Sequence, residues 1–379
     1  MREAVVVEAV RTPIGKRKGI FKNIRSDDLV AQVLQELVRR TQISAESIED
    51  VIMGCVSQVS EQSGDIGRVA ALIAGYPITV PGTTIDRQCG SSQQAVHFAA
   101  QAIISGDMDV VVAAGVENMS RVPMFSSIQG AELSKGLTSN YEIINQGLSA
   151  ELIAEKWNIS QDDMNQFAVG SHQKAIQAIR EGRFEREIIP IFGEDGQVFN
   201  QDECPRSNST LGDLRKLSPS FKKNGFIHPG ISSPISDGAA AVLIMSREKA
   251  NELGLKPRCR IIARTVVGSD PTLMLTGPIP ATEKVLNKAG LSLEDIDIFE
   301  VNEAFASVPI SWLKETGADP KKLNPNGGAI ALGHPLGASG ARLFVTMLNE
   351  LERIGGRYGL QTMCEGLGMA NALIIERLD

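Results

Sequence analysis

Apolar residues fall along the chain in short, continuous runs separated by longer stretches with helical spacing. The run Val5–Val10 is β-branched and almost uninterrupted, as expected of a strand. Residues 27–41 instead set Leu29, Val30, Val33, Leu34, Leu37 and Val38 on one face at the 3.6-residue period of an amphipathic helix. The same alternation predicts strands at Asp50–Val56, Thr83–Arg87 and Asp109–Gly115, with helices at Asp65–Ala74 and Gly90–Ser105 between them. Continuous apolar strands spaced by amphipathic helices read as a parallel sheet covered on both faces.

From about 119 to 236 the strand rhythm lapses. Helical spacing persists, notably over 160–181, which Ser160-Gln-Asp-Asp163 opens in the manner of a capping box. Long polar stretches bearing Gly, Pro and Asn lie between, and an excursion of this length from a layered core is usually functional. Strands return at Gly238–Met245, Cys259–Val267, Asp295–Val301, Leu360–Cys364 and Ala370–Glu376, with helices at Pro280–Ala289, Glu303–Thr316 and Gly337–Ile354. In each half a helix opens from a glycine-rich turn carrying a reactive side chain, Cys89 or His334, and a strand follows it. The pattern predicts a duplicated α/β layout: residues 1–118 with about 237–250 as one half, 119–236 as an insertion, and 251–379 as the other half.

Composition narrows the functional classes. At about 150 residues per domain, 379 residues make two to three domains, with ample chain for a core that needs no disulfide or metal staple. Hydrophobic content of 42% and charged content of 22% are those of a soluble globular protein. The net charge of −7, with basic residues scattered, disfavours a nucleic-acid partner. No apolar run is long enough to span a membrane, and the N-terminus lacks a cleavable-signal pattern, so a cytoplasmic location is expected. The 5 cysteines include no CxxC and there are 4 histidines, which argues against a zinc ribbon, a redox pair or a His-rich metal site. Cys55, Cys204 and Cys259 read as structural, His97 as a helix-packing residue, and Lys16-Arg-Lys18 as a solvated loop.

Four segments carry possible chemistry. Cys89 stands where a strand ends and a helix begins, near unpaired N–H groups that lower a thiol pKa and favour the nucleophilic thiolate. A buried cysteine acting as a small hydrophobe is the competing reading. His334 lies in the glycine-dense run Asn326–Gly340, which brings backbone close to something and aims one imidazole at it. That run lacks both the Lys-Ser/Thr ending of a P-loop and the GxGxxG spacing. Cys364 and Asn302 sit at strand ends, in Cys364-Glu-Gly366 and Asn302-Glu-Ala-Phe305. All four are predicted at the carboxyl edge of the sheet, where open α/β folds bind ligands.

These segments together resemble the thiolases, the acetyl-CoA acetyltransferase and 3-ketoacyl-CoA thiolase family. The resemblance is carried by Cys89-Gly-Ser91, Asn302-Glu-Ala-Phe305, the glycine-dense run through Arg342, and Cys364-x-Gly366. Arg11-Thr-Pro-Ile-Gly15, Gly115-Val-Glu-Asn-Met-Ser120, Gly182-Arg-Phe184 and Ser236-Asp-Gly-Ala-Ala240 extend it from end to end in order. It implies a five-layered αβαβα fold with an inserted loop domain. By the same resemblance Cys89 carries the acyl group as a thioester, His334 activates it, and Cys364 shuttles a proton at the substrate α-carbon. Asn302 would hold a water that forms one oxyanion hole with His334, and the N–H groups of Cys89 and Gly366 would form the other. Coenzyme A, entering as substrate with no permanently bound cofactor or metal, would lie against the loop domain near Arg206 and Ser233. A homodimer or homotetramer is implied.

The sequence departs from the family pattern at identifiable points. The nucleophile stands in Gln88-Cys-Gly-Ser-Ser92 rather than Val-Cys-Gly-Ser-Gly, and Glu365 replaces an apolar neighbour of Cys364. An anion there would raise the thiol pKa. Gly230-Ile-Ser-Ser233 replaces Gly-Asn-Ala-Ser, and Asn145 stands where acetoacetyl-specific members carry a histidine. Two other readings compete: a catalytically silent CoA-ester binder, and a decarboxylating ketosynthase. The latter would want a second histidine near Cys364 or Asn302, which is absent.

Overall fold

A computed structural model describes residues 2–193 and 196–378. The chain opens with β1 (Ala4–Arg11) and the short β2 (Gly15–Lys16), then alternates through α1 (Ser26–Thr41), β3 (Asp50–Gly54), α2 (Ile66–Ile73), β4 (Gly82–Ile85), α3 (Ser91–Ser105) and β5 (Val110–Asn118). A mostly helical stretch follows: α4 (Lys135–Thr138), α5 (Gln146–Lys156), α6 (Gln161–Arg180), the hairpin β6 (Ile191–Phe192) and β7 (Val198–Phe199), and α7 (Leu211–Leu214). The chain rejoins the sheet at β8 (Ser236–Ser246), followed by α8 (Arg247–Glu252), β9 (Cys259–Gly268), α9 (Pro278–Ala289), β10 (Ile298–Val301) and α10 (Ser307–Thr316). Then come α11 (Ala329–Leu332), α12 (Leu336–Ile354), β11 (Tyr358–Glu365) and β12 (Met369–Arg377). Ser160 and Asp163 form a reciprocal capping box at the start of α6, as their spacing predicts.

The strand order is β10-β11-β12-β9-β1-β8-β5-β3-β4, with β2 on β8. The two halves repeat one arrangement: β5 lies between parallel β3 and antiparallel β8, and β8 pairs with β1. Likewise β11 lies between parallel β10 and antiparallel β12, and β12 pairs with β9. β1 and β9 join the halves through only two residue pairs, Val5 with Arg260 and Val6 with Cys259. The expected parallel sheet is therefore corrected to a mixed one. Burial on both faces dictates continuous apolar strands whatever their direction, so the pattern that marks β1 and β8 as buried carries no information on how they run.

Side-chain parity sets the layers. Ala239, Ala241, Leu243 and Met245 of β8 pack with Leu29, Leu34 and Leu37 of α1 and Ile66 of α2. The alternate residues Ala240, Val242 and Ile244 pack inward with Ala95 and Ile103 of α3 and Phe344 and Leu348 of α12. Leu373 and Ile375 of β12 reach that same central layer from the other side. Its opposite face, Ala370, Ala372 and Ile374, meets Val285 of α9 and Trp312 of α10. Helices, sheet, helices, sheet and helices thus stack as five layers. Among the described residues, the stretch between β5 and β8 adds no strand to the large sheet. Ala150, Ile153, Met164 and Ala168 of this stretch pack instead with Phe305, Ile330 and Cys364. No helix among the described residues is long and apolar enough to cross a membrane.

Candidate active site

The two central helices enter the middle layer with their N-termini side by side. Gly340 of α12 allows this: a Cβ there would lie 2.3 Å from the Gln93 backbone nitrogen of α3. Ser92 Oγ accepts from the Ala341 N–H at 2.9 Å across the same contact. The Glu117 carboxylate on β5 fixes the entrance to α12. It accepts from the Gly337 N–H at 2.9 Å, from the Val56 and Ser57 N–H groups at 3.0 and 3.1 Å, and from Gln62 Nε2 at 2.8 Å. The motif Gly115-Val-Glu-Asn-Met-Ser120 contains this acid, but nothing local in the sequence marks it as the anchor of a remote helix.

Cys89 occupies the turn between β4 and α3. Gln88 before it adopts a left-handed conformation (φ 49°), uncommon for a residue with a side chain. Three short bonds hold that geometry: Gln88 N–H to Asp86 Oδ1 at 2.6 Å, Arg87 N–H to Ser91 Oγ at 2.9 Å, and Ser91 O–H to Gln88 O at 2.6 Å. The thiol is buried at 7% exposure among Met119, Leu336, Leu343 and Met363. Burial pushes it well above the ordinary thiol range, and neighbouring Cys364 and Glu365 push it further. The sequence expectation of a thiolate stabilised by the helix end is overturned here. Desolvation of the whole group outweighs the partial charge at one helix terminus.

His334 lies just before α12, almost wholly buried. Its Nδ1 is 2.6 Å from Ser339 Oγ, which itself donates to Pro335 O at 2.8 Å. The hydroxyl proton being spent on that carbonyl, Ser339 accepts from Nδ1–H, and Nε2 carries the free lone pair. Nε2 faces Asn302 Nδ2 at 3.4 Å. Burial, then Arg342, lowers the imidazole to about 3, so it is a neutral base at physiological pH. The His334 N–H donates to Ser236 Oγ at 3.2 Å, fixing the backbone. Nothing local in the sequence marks Ser339 as a partner of His334, because a serine near a helix start reads equally well as a cap.

Asn302 follows β10, its N–H bonded to Thr362 O of β11 at 3.1 Å. Its Oδ1 is buried with no protein donor. The helix expected from Glu303 begins only at Ser307. Glu303 is instead drawn inward, accepting from Ser171 Oγ at 2.7 Å, Asn324 Nδ2 at 2.8 Å and the Ile330 N–H at 3.1 Å. Cys364 is the penultimate residue of β11, is pushed up to about 12 by burial, and stands near enough to Cys89 to raise it. Gly366 lies against the Gln88 side chain, so the two cysteine-bearing turns abut.

The structure thus sets Cys89 beside Cys364 and the Gly366 turn, and His334 beside Asn302, whose N–H bonds to Thr362 on the strand that carries Cys364. Ser233 stands beside the Asn302 segment, its N–H bonded to Ala304 O at 3.0 Å. Arg206 lies farther out against α6. Its N–H donates to His172 Nδ1 at 3.1 Å, and its side chain lines a surface cleft with Gln173 and Arg180. Asn145 is occupied as the N-cap of α5, its Oδ1 accepting from the Gly147 N–H at 2.8 Å. Among the described residues no three His, Cys, Asp or Glu side chains are grouped to hold a metal ion.

A thiol, a neutral imidazole and a second thiol in a duplicated α/β fold are the residue types that acyl transfer through a thioester requires. Known proteins agree. The profile described as "Thiolase, N-terminal domain" matches residues 4–248, and "Thiolase, C-terminal domain" matches residues 255–377. The chain is 52% identical to the steroid 3-ketoacyl-CoA thiolase FadA6 of Mycobacterium tuberculosis, over 100% of this chain and 95% of that protein. It is 45% identical to a 3-ketoacyl-CoA thiolase of Klebsiella pneumoniae subsp. pneumoniae, over 100% of both. The crystal structure of the Bacillus anthracis acetyl-CoA acetyltransferase superposes with a TM-score of 0.92 at 39% identity, covering 100% of this chain and 99% of that one. The chain belongs to the thiolase family of CoA-dependent C-acyltransferases, for which acyl-CoA and coenzyme A are substrates.

Proposed function

We propose that this thiolase cleaves 3-ketoacyl-CoA esters with coenzyme A, and runs the reverse Claisen condensation, through an acyl-thioester on Cys89. The observation that supports this reading is the pairing of Cys89 with Cys364 and of His334 with Asn302, the two pairs joined by the Asn302 N–H bond to the Cys364 strand.

In thiolysis His334 Nε2 takes the proton of Cys89, whose sulfur attacks the 3-keto carbon. With the thiol held high and the imidazole held low, the resting pair is uncharged and this proton moves only during attack. The resulting oxyanion is held by the N–H groups of Cys89 and Gly366 as preorganised donors, each worth about 3 kcal/mol. The C2–C3 bond then breaks, leaving the acyl group on Cys89 and an acetyl-CoA enolate. Asn302 Oδ1, lacking a protein donor, holds a water that with His334 stabilises the enolate oxygen. Cys364 gives its proton to the enolate carbon, and acetyl-CoA leaves. The proton on His334 then restores the Cys364 thiol. A coenzyme A thiol gives its own proton to His334 and attacks the thioester, and as acyl-CoA is released the departing Cys89 sulfur takes that proton from His334.

Arg206 and Ser233 contact the CoA moiety along the helical stretch between β5 and β8. Capping by Asn145 Oδ1 leaves that position without the imidazole of acetoacetyl-specific members and supports acyl chains longer than acetoacetyl. The name of the similar steroid 3-ketoacyl-CoA thiolase points the same way. The enzyme works in the cytoplasm as a homodimer or homotetramer; exposed Leu72, Ile73 and Ile78 beside the edge strand β4 support self-association. The test is a thiolysis panel across acyl lengths, with mass spectrometry of the Cys89 peptide. An acyl adduct on Cys89 and cleavage of medium or bulky 3-ketoacyl-CoA are expected; no adduct and no thiolysis at any length would overturn the proposal.

A further inference from the structure

Beside the nucleophile lies a polar cluster that the proposed chemistry leaves unused. Glu365 ends β11 fully buried, and neither carboxyl oxygen has a hydrogen-bond partner. Its Oε1 presses on the Gly90 turn so closely that a Cβ on Gly90 would lie 2.0 Å from it. The same hypothetical Cβ would lie 3.0 Å from Asn371 Nδ2 of β12, which donates to Gly90 O at 3.2 Å. Asn371 Oδ1 is likewise buried and unpartnered.

Three orphan acceptor atoms therefore crowd the residue next to Cys89. An ionised carboxylate can only accept, so three acceptors would face one side-chain donor, Asn371 Nδ2, already engaged by Gly90 O, at a cost of about 1–3 kcal/mol for each unmet group. A carboxylic acid supplies the missing O–H. We propose that Glu365 is a positioning residue, held as the neutral acid against Gly90, whose ionisation at alkaline pH sets an upper limit on Cys89 reactivity. The inference rests on Cys89 being the nucleophile, as read above.

Burial raises Glu365 to about 8, in keeping with a neutral acid at pH 7. The charged and titratable groups facing it are Asp86, Arg87 and Cys89 from the turn before α3 and Cys364 from its own strand; Asn371 from β12 does not titrate. Arg87 favours the anion, Asp86 opposes it, and burial outweighs both. Once formed, the anion disfavours the Cys89 thiolate, while Gln at this position keeps a donor and never ionises.

The test compares the wild-type enzyme with Glu365→Gln. Alkylation of Cys89 by iodoacetamide is followed by peptide mass spectrometry, with thiolysis kcat/KM measured across pH in parallel. The variant is expected to match wild type within about twofold near pH 6.5 and to alkylate about tenfold faster near pH 9.5, with the alkaline limb of kcat/KM moved upward. A ratio of variant to wild-type rates that stays flat across this range would overturn the proposal. Should the variant fold poorly, infrared spectra of enzyme with isotope-labelled glutamate and carrying Glu300→Gln, which removes the other buried, unpartnered carboxyl raised to about 8, decide. A carboxylic-acid C=O band present at neutral pH and lost near pH 9.5 is expected; its absence at neutral pH refutes the assignment. Alkylation needs no substrate, so failure of every thiolysis assay would count against the proposed activity and leave this result standing.

Discussion

Ser339 Oγ sits between His334 Nδ1 and Pro335 O, 2.6 Å from one and 2.8 Å from the other, and this fixes which imidazole nitrogen is free to take a proton. Ser339→Ala removes the acceptor for Nδ1–H, so the ring can exchange tautomers and present a proton, rather than a lone pair, towards Asn302. Thiolysis kcat/KM should fall about 10- to 100-fold, as expected for loss of a group that orients a general base. Stability should drop by only about 1–3 kcal/mol, for one unmet buried N–H. Steady-state kinetics and a urea melt separate the two; unchanged kcat/KM would show that Ser339 does not select the tautomer.

Four buried imidazoles, all lowered by burial, make the fold acid-sensitive, His334 and His97 the most. His334 and His97 are both lowered by burial from an ordinary 6.5 to about 3. In the unfolded chain they protonate as pH falls through 6.5, whereas in the folded chain they stay neutral until about 3. Stability is therefore full above 6.5 and declines between 6.5 and 3, at a limiting slope of about 1.4 kcal/mol per pH unit for each group. His97 on α3 lies outside the reacting centre, so His97→Gln should reduce this slope by about one group's share. Urea midpoints measured across the range check it; an unchanged slope would mean that His97 is not held neutral.

What the sequence made legible follows from which physical constraints act locally. Helix α6 was readable because Ser160 and Asp163 cap it within four residues, and the strands because two-sided burial leaves continuous apolar runs. Strand direction was not, since β1 and β8 look alike read either way and only tertiary pairing turns them antiparallel. The reacting groups were recognisable by their motifs, but their protonation was misjudged. The helix-end effect on Cys89 is visible in sequence, while the burial that outweighs it is a property of the assembled layers. Glu303 failed as a helix starter for a similar reason: Ser171 and Asn324, both remote in sequence, claim its carboxylate.

Gly340→Ala is a substitution whose sign tertiary packing should reverse. In an exposed helix, replacing Gly by Ala is stabilising by about 0.5–1 kcal/mol. Here the new methyl would lie 2.3 Å from the Gln93 backbone nitrogen, which cannot move without dragging α3. A loss of at least about 1–3 kcal/mol is expected, as for overpacking elsewhere, together with loss of thiolysis as α12 and His334 shift from the Cys89 turn. Thermal melting checks the sign, and a stabilised variant would mean that the helices separate freely.

Glu117→Gln tests the anchor of α12. The carboxylate accepts four N–H bonds, from Val56, Ser57, Gln62 and Gly337. An amide of the same shape turns one acceptor into an NH2 that faces donors. Destabilisation of about 2–4 kcal/mol is expected for breaking a buried charge-assisted network. Chemical denaturation measures it, and a variant as stable as wild type would show that the N–H groups find other partners.

Cys364 can be separated from Cys89 by the half-reaction each serves. Transfer of an acyl group between Cys89 and coenzyme A involves no carbon–carbon bond, so it needs the His334 base and the oxyanion donors but no proton at an α-carbon. In the mechanism proposed above, cleavage of a 3-ketoacyl-CoA leaves an enolate that Cys364, a thiol pushed up to about 12 beside Cys89, quenches. Cys364→Ala should therefore retain exchange of labelled coenzyme A into acyl-CoA within about tenfold of wild type. Thiolysis should fall by about 10²–10⁴, the range general acid–base groups contribute. Cys89→Ala should abolish both. Equal loss of exchange and thiolysis in Cys364→Ala would mean that the second sulfur supports the nucleophile instead of handling the substrate proton, and its role would have to be reassigned.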